Sequence, residues 1–341
     1  MSCRYLKIED FCSTGSGGTP SRSKPEYYEG GDIPWIKSGD LKDSKIYEAN
    51  EYITAAGLEN SSAKIVEKDS ILIAMYGATV GRLAILGINA ATNQAICNIR
   101  PDTTIADMKY LYYFLKSKFS YFVENAVGGA QPNISQGLIK SLEVPLPSLD
   151  EQKRIADILD KAAGVCQKRE QAIKLADDFL RAKFLEMFGT PANNIHRFPK
   201  GTIRDLVDSV NYGTSAKASI DSGEYPILRM GNITYQGRWD FTDLKYLDLS
   251  VKEKDKYLVK EGDLLFNRTN SKELVGKTAV YEEDRPMAFA GYLIRVRPNS
   301  IGNNYYISGY LNSIHGKITL MNMCKSIVGM ANINAQELQN I

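Results

Sequence analysis

Histidine is scarce. The chain holds only His196 and His315 among 341 residues, and neither lies in a partner motif. Both read as surface residues, so no histidine metal site or histidine-activated nucleophile is expected. The five cysteines, Cys3, Cys12, Cys97, Cys166 and Cys324, are scattered and form no CxxC pair. That argues against a zinc site or a disulfide framework, and for reduced thiols in a cytoplasmic chain. Long apolar runs are also lacking. ILIAMYG and LAILGINAA are too short and glycine-broken to span a bilayer, and MSCRYLKIEDF has no signal-peptide core. The reading is of a soluble protein with no membrane partner. A dominant charge is missing too: the net charge is +2, with balances of −1 for residues 1–147, 0 for 148–188 and +3 for 189–341. Any polyanion must therefore be held by local patches rather than by a global field.

Enzymatic signatures are equally thin. No Asn/Asp-Pro-Pro-Phe/Tyr tetrapeptide occurs, which excludes adenine methyl transfer as the chain's own chemistry. In SKELVGKT (271–278), Ser271 stands where the first glycine of a phosphate loop belongs, and AVYEED after it reads as a strand. The glycine-rich stretch GSGGTPSRSKPEYYEGGDIPWIKSGDL (15–41) runs into Pro20, Pro25 and Pro34 rather than into a helix. No spaced constellation of acids suggests a nuclease. Neither a catalytic residue, a metal nor a cofactor is expected.

What is present is a long helix with a repeat on either side. Ser148 and Glu151 have capping-box spacing, and Gly189 followed by Thr190-Pro191 is a stop signal. Between them an apolar stripe recurs at three- and four-residue steps: Ile155, Leu159, Ala162, Cys166, then Ile173, Ala176, Leu180 and Met187. At 1.5 Å per residue such a helix is about 60 Å long, more than one compact domain needs. It reads as a coiled-coil strut and subunit interface. IPWIKSGDL (33–41) returns as YPILRMGNI (225–233), and VEKDSILIAMYGATVGRLAIL as VKEGDLLFNRTNSKELVGKTAVY. AICNIRPD returns as YLIRVRPN, and GGAQPNISQGLIKSL as VGMANINAQELQNI, with the offset drifting only from 192 to 199. The chain is therefore read as α+β: two β-rich modules, 1–147 and 189–341, joined by the helix 148–188. Each module is expected to carry one later helix, near Asp107–Asn125 and Asn304–Met323. Module one continues from Leu142 into EVPLPSLDEQKRIADIL, whereas module two stops at the equivalent Ile341, so the reading is of a truncated chain.

The order GGTPSRSKPEYYEGGDIPWIKSGDL, GATVGRLAIL, TNQAICNIRP, GGAQPNIS, VPLPSLDEQKRIADILD resembles the specificity subunit of type I restriction–modification systems. That resemblance implies two target-recognition domains, each reading half of a bipartite site in double-stranded DNA, held apart by conserved helices. It implies no catalysis by the chain itself. Modification subunits, which carry S-adenosylmethionine and methylate adenine N6, would dock on it, and restriction subunits would join through them. Such subunits usually have two antiparallel helices. With one, this chain could instead pair with a second copy of itself, or serve as an interaction scaffold that has lost DNA binding.

Phosphates and base edges are gripped by Arg, Lys, Asn, Gln and hydroxyl side chains. In module one these chemistries fall at Thr19, Ser21, Arg22 and Lys24, at Lys37 and Ser38, at Tyr76, Thr79 and Arg82, and at Gln131 and Asn133. In module two they fall at Lys217, Arg229 and Asn232, and in the NRTNSK loop at Asn267, Arg268, Asn270 and Lys272. Trp35 and the turn glycines read as structural.

Overall fold

The computed structural model describes residues 4–129, 131–190, 193–271, 274–327 and 330–341. The chain divides into two compact units, Met1–Lys168 and Arg169–Ile341. The division falls inside one continuous helix, Leu149–Phe188.

In the first unit, the strands are ordered Cys12–Ser16, Ile96–Pro101, Ile71–Ala74, Leu83–Leu86, Ser44–Ile46. All neighbours are antiparallel except the last pair. Alternation along each strand divides its side chains between two cores. Ile71, Ile73, Leu83, Ile85, Cys97 and Ile99 point to one cluster, with Leu111, Leu115 and Phe122 from the helices Met108–Ser117 and Phe119–Glu124. Leu72, Ala74, Ala84, Leu86 and Ile96 point to the other, with Ile36, Val66 and Ala90. Those partners belong to a second sheet, ordered Glu51–Ile53, Ile33–Ile36, Ala90–Thr92, Ile65–Val66, whose central pair is parallel. Burial on both faces is why ILIA and LAIL are continuous apolar runs rather than alternating ones.

The second unit repeats this plan. Val207–Tyr212, Leu293–Pro298, Leu264–Asn267 and Thr278–Val280 pair in the order of the first four strands above. Lys245–Leu247, Tyr225–Leu228, Met287–Phe289 and Leu258–Val259 form the second sheet, with Ile227 and Leu228 parallel to Ala288 and Phe289. The fifth strand has no counterpart among the described residues. A ribbon of Thr269–Asn270, Met330–Asn332 and Lys325–Ile327 is added instead. Each expected single helix is broken in two. In the second unit the break is Asn304–Asn312 to Ile314–Met323, where Ser313 is extended and its Oγ accepts from the Gly316 amide at 3.1 Å. In the first it lies at Lys118, whose amide bonds back to Leu115 O.

Each unit grips its own portion of the long helix. In the first, the buried Gln152 amide donates to Ile105 O and Pro147 O and accepts from the Asp107 amide, and Ala156 is buried. One turn on, Asp160 accepts from Lys109 and from the Tyr113 hydroxyl at 2.6 Å. In the second, Phe184 and Phe188 pack on Tyr306, and Arg238 donates to Asp177 at 2.6 Å. Residues 161–176 are exposed except at Gly164. Among the described residues no helix is long and apolar enough to cross a membrane. Cys12, Cys97 and Cys166 are free thiols.

The loop after Cys12–Ser16 crosses the second sheet so closely that a Cβ on Gly17 would lie 1.8 Å from Thr92 O. Gly17→Ala is therefore expected to cost at least about 1–3 kcal/mol of unfolding free energy. Gly39→Ala, with open space around its Cβ position, should stay within about 0.5 kcal/mol. Urea unfolding of both variants checks the contrast.

Candidate nucleic-acid interface

Register places the candidate loops of each unit at one end of its sheets. In the first unit Ser16 pairs with Cys97, Ala74 with Ile96, Ile73 with Leu83, and Ile36 with Thr92. The segments that follow Ser16, Ile36, Ala74 and Thr92 therefore emerge together.

Glycine starts the first of them. Gly17 and Gly18 are buried, the Gly18 amide donates to Thr92 O at 2.9 Å, and the buried Trp35 indole donates to Gly18 O at 3.1 Å. The glycines thus serve close backbone approach, and Trp35 is core. Beyond them the side chains turn outward. Thr19 donates to Gln94, and Ser21 shares a hydrogen bond with Ser23 at 2.8 Å. The Arg22 guanidinium lies 4.4 Å from the Tyr28 ring centroid and 5.1 Å from that of Trp35. It donates to Glu51 at 2.6 Å, and Lys37 donates to the other Glu51 oxygen. Lys24 instead reaches the Tyr27 hydroxyl at 3.0 Å. Ser38 opens a single turn, Ser38–Asp40, in which Asp40 accepts from the Lys37 amide.

The second group adjoins the first through the Gln94–Ala95 turn, because the Met75 amide donates to Ala95 O at 2.8 Å. Tyr76 bridges to Asn133, and the Gly77 amide donates to Pro132 O. Thr79 Oγ1 donates to Tyr76 O at 3.1 Å, while Arg82 and Gln131 are exposed. So Thr19, Arg22, Lys37, Tyr76, Thr79 and Asn133 share one rim. Gln94, Tyr28 and Glu51 join them without having been singled out in the sequence. TNQAICNIRP entered only as part of the family resemblance, and an acid draws no notice in a search for cations.

The second unit arranges the same features differently. Arg268 lies 4.8 Å from the Tyr212 ring centroid and donates to Asn332 Oδ1 at 3.3 Å, with its amide on Tyr292 O. Asn332 pairs with Thr269 in the added ribbon. Asn270 is half-buried and accepts from the Ser271 amide. Asn267 is fully buried at the end of its strand. Asn232 is buried as well, donating to Asp240 O and Asp243 O, and Arg229 donates to Asp243 at 2.8 Å. Lys217 is exposed, and Lys272 lies outside the described residues. Tyr212, Tyr292 and Asn332 are the further members of this rim. Only Asn332 had a sequence signal, as the repeat of Asn133.

The helix residues form a separate surface. Ile155 is half-buried, Ala162, Cys166 and Ala176 are exposed, and Leu159, Ile173, Leu180 and Met187 are 37%, 53%, 60% and 52% exposed. Among the described residues no group of His, Cys, Asp or Glu could hold a metal ion.

The Lys37 hydrogen bond, seconded by Arg22, holds the Glu51 carboxyl below its ordinary value against the opposing effect of desolvation. A depressed carboxyl contributes stability above its unfolded pKa of about 4.3, and that contribution is lost as pH falls through the folded value. The wild type should therefore lose stability faster than Glu51→Gln on acidification below about pH 4.5. The effect is small because the pair is part-exposed. Denaturant midpoints at stepped pH measure it, and parallel curves would show that the pairs contribute nothing.

The family model described as type I restriction modification DNA specificity domain matches residues 4–175 and again 198–341. The EcoR124I/EcoR124II specificity subunit of Escherichia coli is 33% identical over 150 residues, 42% of this chain and 37% of that protein. The MjaIX specificity subunit of Methanocaldococcus jannaschii is 33% identical over 187 residues, 53% of this chain and 42% of that protein. The matches thus span about two fifths of those relatives. With the EcoKI specificity subunit of Escherichia coli, identity is 24% over 332 residues, 90% of this chain and 70% of that protein. Among solved structures, the type I restriction-modification S subunit of M. genitalium aligns at TM-score 0.57 and 15% identity, over 100% of this chain and 84% of that one. With a family match on each module, the chain belongs to the type I restriction modification DNA specificity domain family.

Proposed function

We propose that this chain is the DNA-recognition subunit of a type I restriction–modification complex. Its recognition domains, residues 1–147 and 189–341, each read one half of a bipartite site in duplex DNA. The helix 148–188 sets the spacing between the half-sites and docks adenine-N6 methyltransferase subunits, through which restriction subunits join. The chain recognises and does not catalyse. One observation carries this reading: the same two-sheet module occurs twice, each time with a polar, cation-bearing rim of loops at one end. Duplicated readers suit a site with two separate halves, as half-site spacing follows protein geometry in other DNA-binding proteins.

Arg22 and Arg268 hold their guanidinium groups over tyrosine rings in these rims, 4.4 Å and 4.8 Å from the centroids. Contact with a ring pre-orients a guanidinium for bidentate contact with a base or phosphate. Selection of bound duplexes from a random pool should return two conserved blocks separated by a fixed non-specific spacer. Arg22→Ala should relax one block and Arg268→Ala the other, each costing about 1–3 kcal/mol on its own half-site. A single block, or no enriched sequence, would exclude bipartite reading and favour an interaction scaffold.

A second reading concerns the helix. Its mid-portion exposes Val165, Ile173, Leu175 and Phe179, each at least half accessible. An apolar stripe of this extent calls for a partner helix. A second copy of the chain supplies one. Light scattering of the purified chain, alone and with methyltransferase subunits, tests this. A dimer that falls to a monomer in Ile173→Lys supports self-pairing; a monomer that still recruits the subunits excludes it.

A further inference from the structure

The second unit sets two cations, Arg181 and Lys317, against one aromatic ring, that of Tyr235, and neither belongs to the recognition rim described above. A hairpin bridged by Ile233 and Trp239 turns at Gly237, whose φ of +81° suits glycine alone. A Cβ there would meet Asn312 and Thr278 O, so the hairpin packs onto the start of the Thr278–Val280 strand. Arg238 fastens it to the long helix through Asp177. Tyr235 is thereby fixed near the hairpin tip, 42% exposed.

Cations approach Tyr235 from two elements. Arg181, one helical turn beyond Asp177, places its guanidinium 5.9 Å from the ring centroid. Lys317, from the helix Ile314–Met323, places Nζ 5.2 Å from the same centroid, with a long 3.4 Å hydrogen bond to Gly276 O. Lys277, the next residue, is 8% exposed. Desolvation, then Arg181, then Lys277 push the Lys317 ammonium down to about 8, and burial lowers Lys277 as well. Among the described residues no carboxylate lies within ion-pair distance of Arg181, Lys277 or Lys317, since Asp177 is taken by Arg238. Like charges crowded without an acid oppose folding, and an anion with several acceptor oxygens removes that cost. Lys277 also precedes the strand residue Thr278, which pairs with Phe266 beside Asn267, so the cluster stands at the loop end of the module.

We propose that Arg181 and Lys317, with the Tyr235 hydroxyl, form a binding site for a phosphate group. The site takes a backbone phosphodiester when DNA is bound, a part of the proposal that rests on the DNA-recognition reading, and a free phosphate otherwise. It makes the long helix a ligand-binding element as well as a connection.

Thermal unfolding of the full chain at constant ionic strength, in sodium phosphate against sodium chloride, tests the site without DNA. Phosphate should raise the midpoint of the wild type, and Arg181→Gln and Lys317→Gln should bind it roughly tenfold more weakly. Lys317→Arg, which keeps the charge, should retain the effect. Both glutamine variants are expected to fold, because each relieves repulsion, and their midpoints in chloride verify this. The second arm is the salt dependence of duplex binding. A lost phosphodiester contact lowers the log–log slope by about 0.9. A lowered slope together with lost phosphate stabilisation establishes the backbone contact. Lost stabilisation with an unchanged slope supports the site for a free phosphate group only. Equal phosphate effects in wild type and glutamine variants, or no phosphate effect at all, would overturn the proposal, whatever the DNA-selection experiment returns.

Discussion

Burial of the larger sheet on both faces is the constraint on which the rest of each module depends. Ile71, Ile73, Leu83 and Ile85 face one core, while Leu72, Ala74, Ala84 and Leu86 face another. A strand that is apolar on both sides needs a layer against each face. Here helices supply one layer and the smaller sheet the other. The second unit meets the same demand with Leu264 and Phe266 on one side and Leu265 on the other. Once both faces are covered, the sheet ends are where polar side chains remain free to meet a ligand. The loops that follow Ser16, Ile36, Ala74 and Thr92, and their counterparts in the second unit, are therefore where the candidate recognition side chains gather.

The same demand explains which polar groups are buried. Gln152 lies inside because both its N–H groups and its oxygen are bonded, to Ile105 O, Pro147 O and the Asp107 amide. A buried amide with three partners orients the first turns of the helix in a way that an apolar residue would not. Asn304 reaches Gly262 O and Val296 O in the second unit. Asp263 there is bound by Arg297 through two hydrogen bonds. These groups hold segments in place rather than facing a ligand.

The two rims share a framework and differ in chemistry. Gly81 and Gly276 both have positive φ near 80°, and their amides donate to Ala74 O and Asn267 O respectively. The Ile134 and Ile333 amides likewise donate to Met75 O and Arg268 O. On this common scaffold, the first unit sets Arg22 and Lys37 around Glu51, whereas the second sets Arg268 over the Tyr212 ring beside Asn332. Loop substitution on an unchanged sheet leaves stability with the core and lets the polar rims diverge.

Much of the fold was legible in the chain because it rests on local pattern. The repeat is visible from IPWIKSGDL and YPILRMGNI, and the helix Leu149–Phe188 from its apolar periodicity, the Ser148–Glu151 spacing and Gly189. Two-faced strand burial was not read from runs such as ILIA, which served only to exclude a membrane span; the structure shows it. The helix breaks at Lys118 and Ser313 were not legible, since a serine within an apolar stripe gives no warning that its side chain will cap the next helix. Candidate cations could be enumerated, but their partners could not. Glu51 holds both Arg22 and Lys37 across 29 and 14 residues of sequence, Asp243 occupies Arg229, and Asn232 and Asn267 turn inward. Composition and periodicity determined that this chain would build two β-rich modules and a long helix, because both depend on spacing along the backbone. Tertiary structure alone decided which polar groups face outward together, because that depends on how strands distant in sequence come into register.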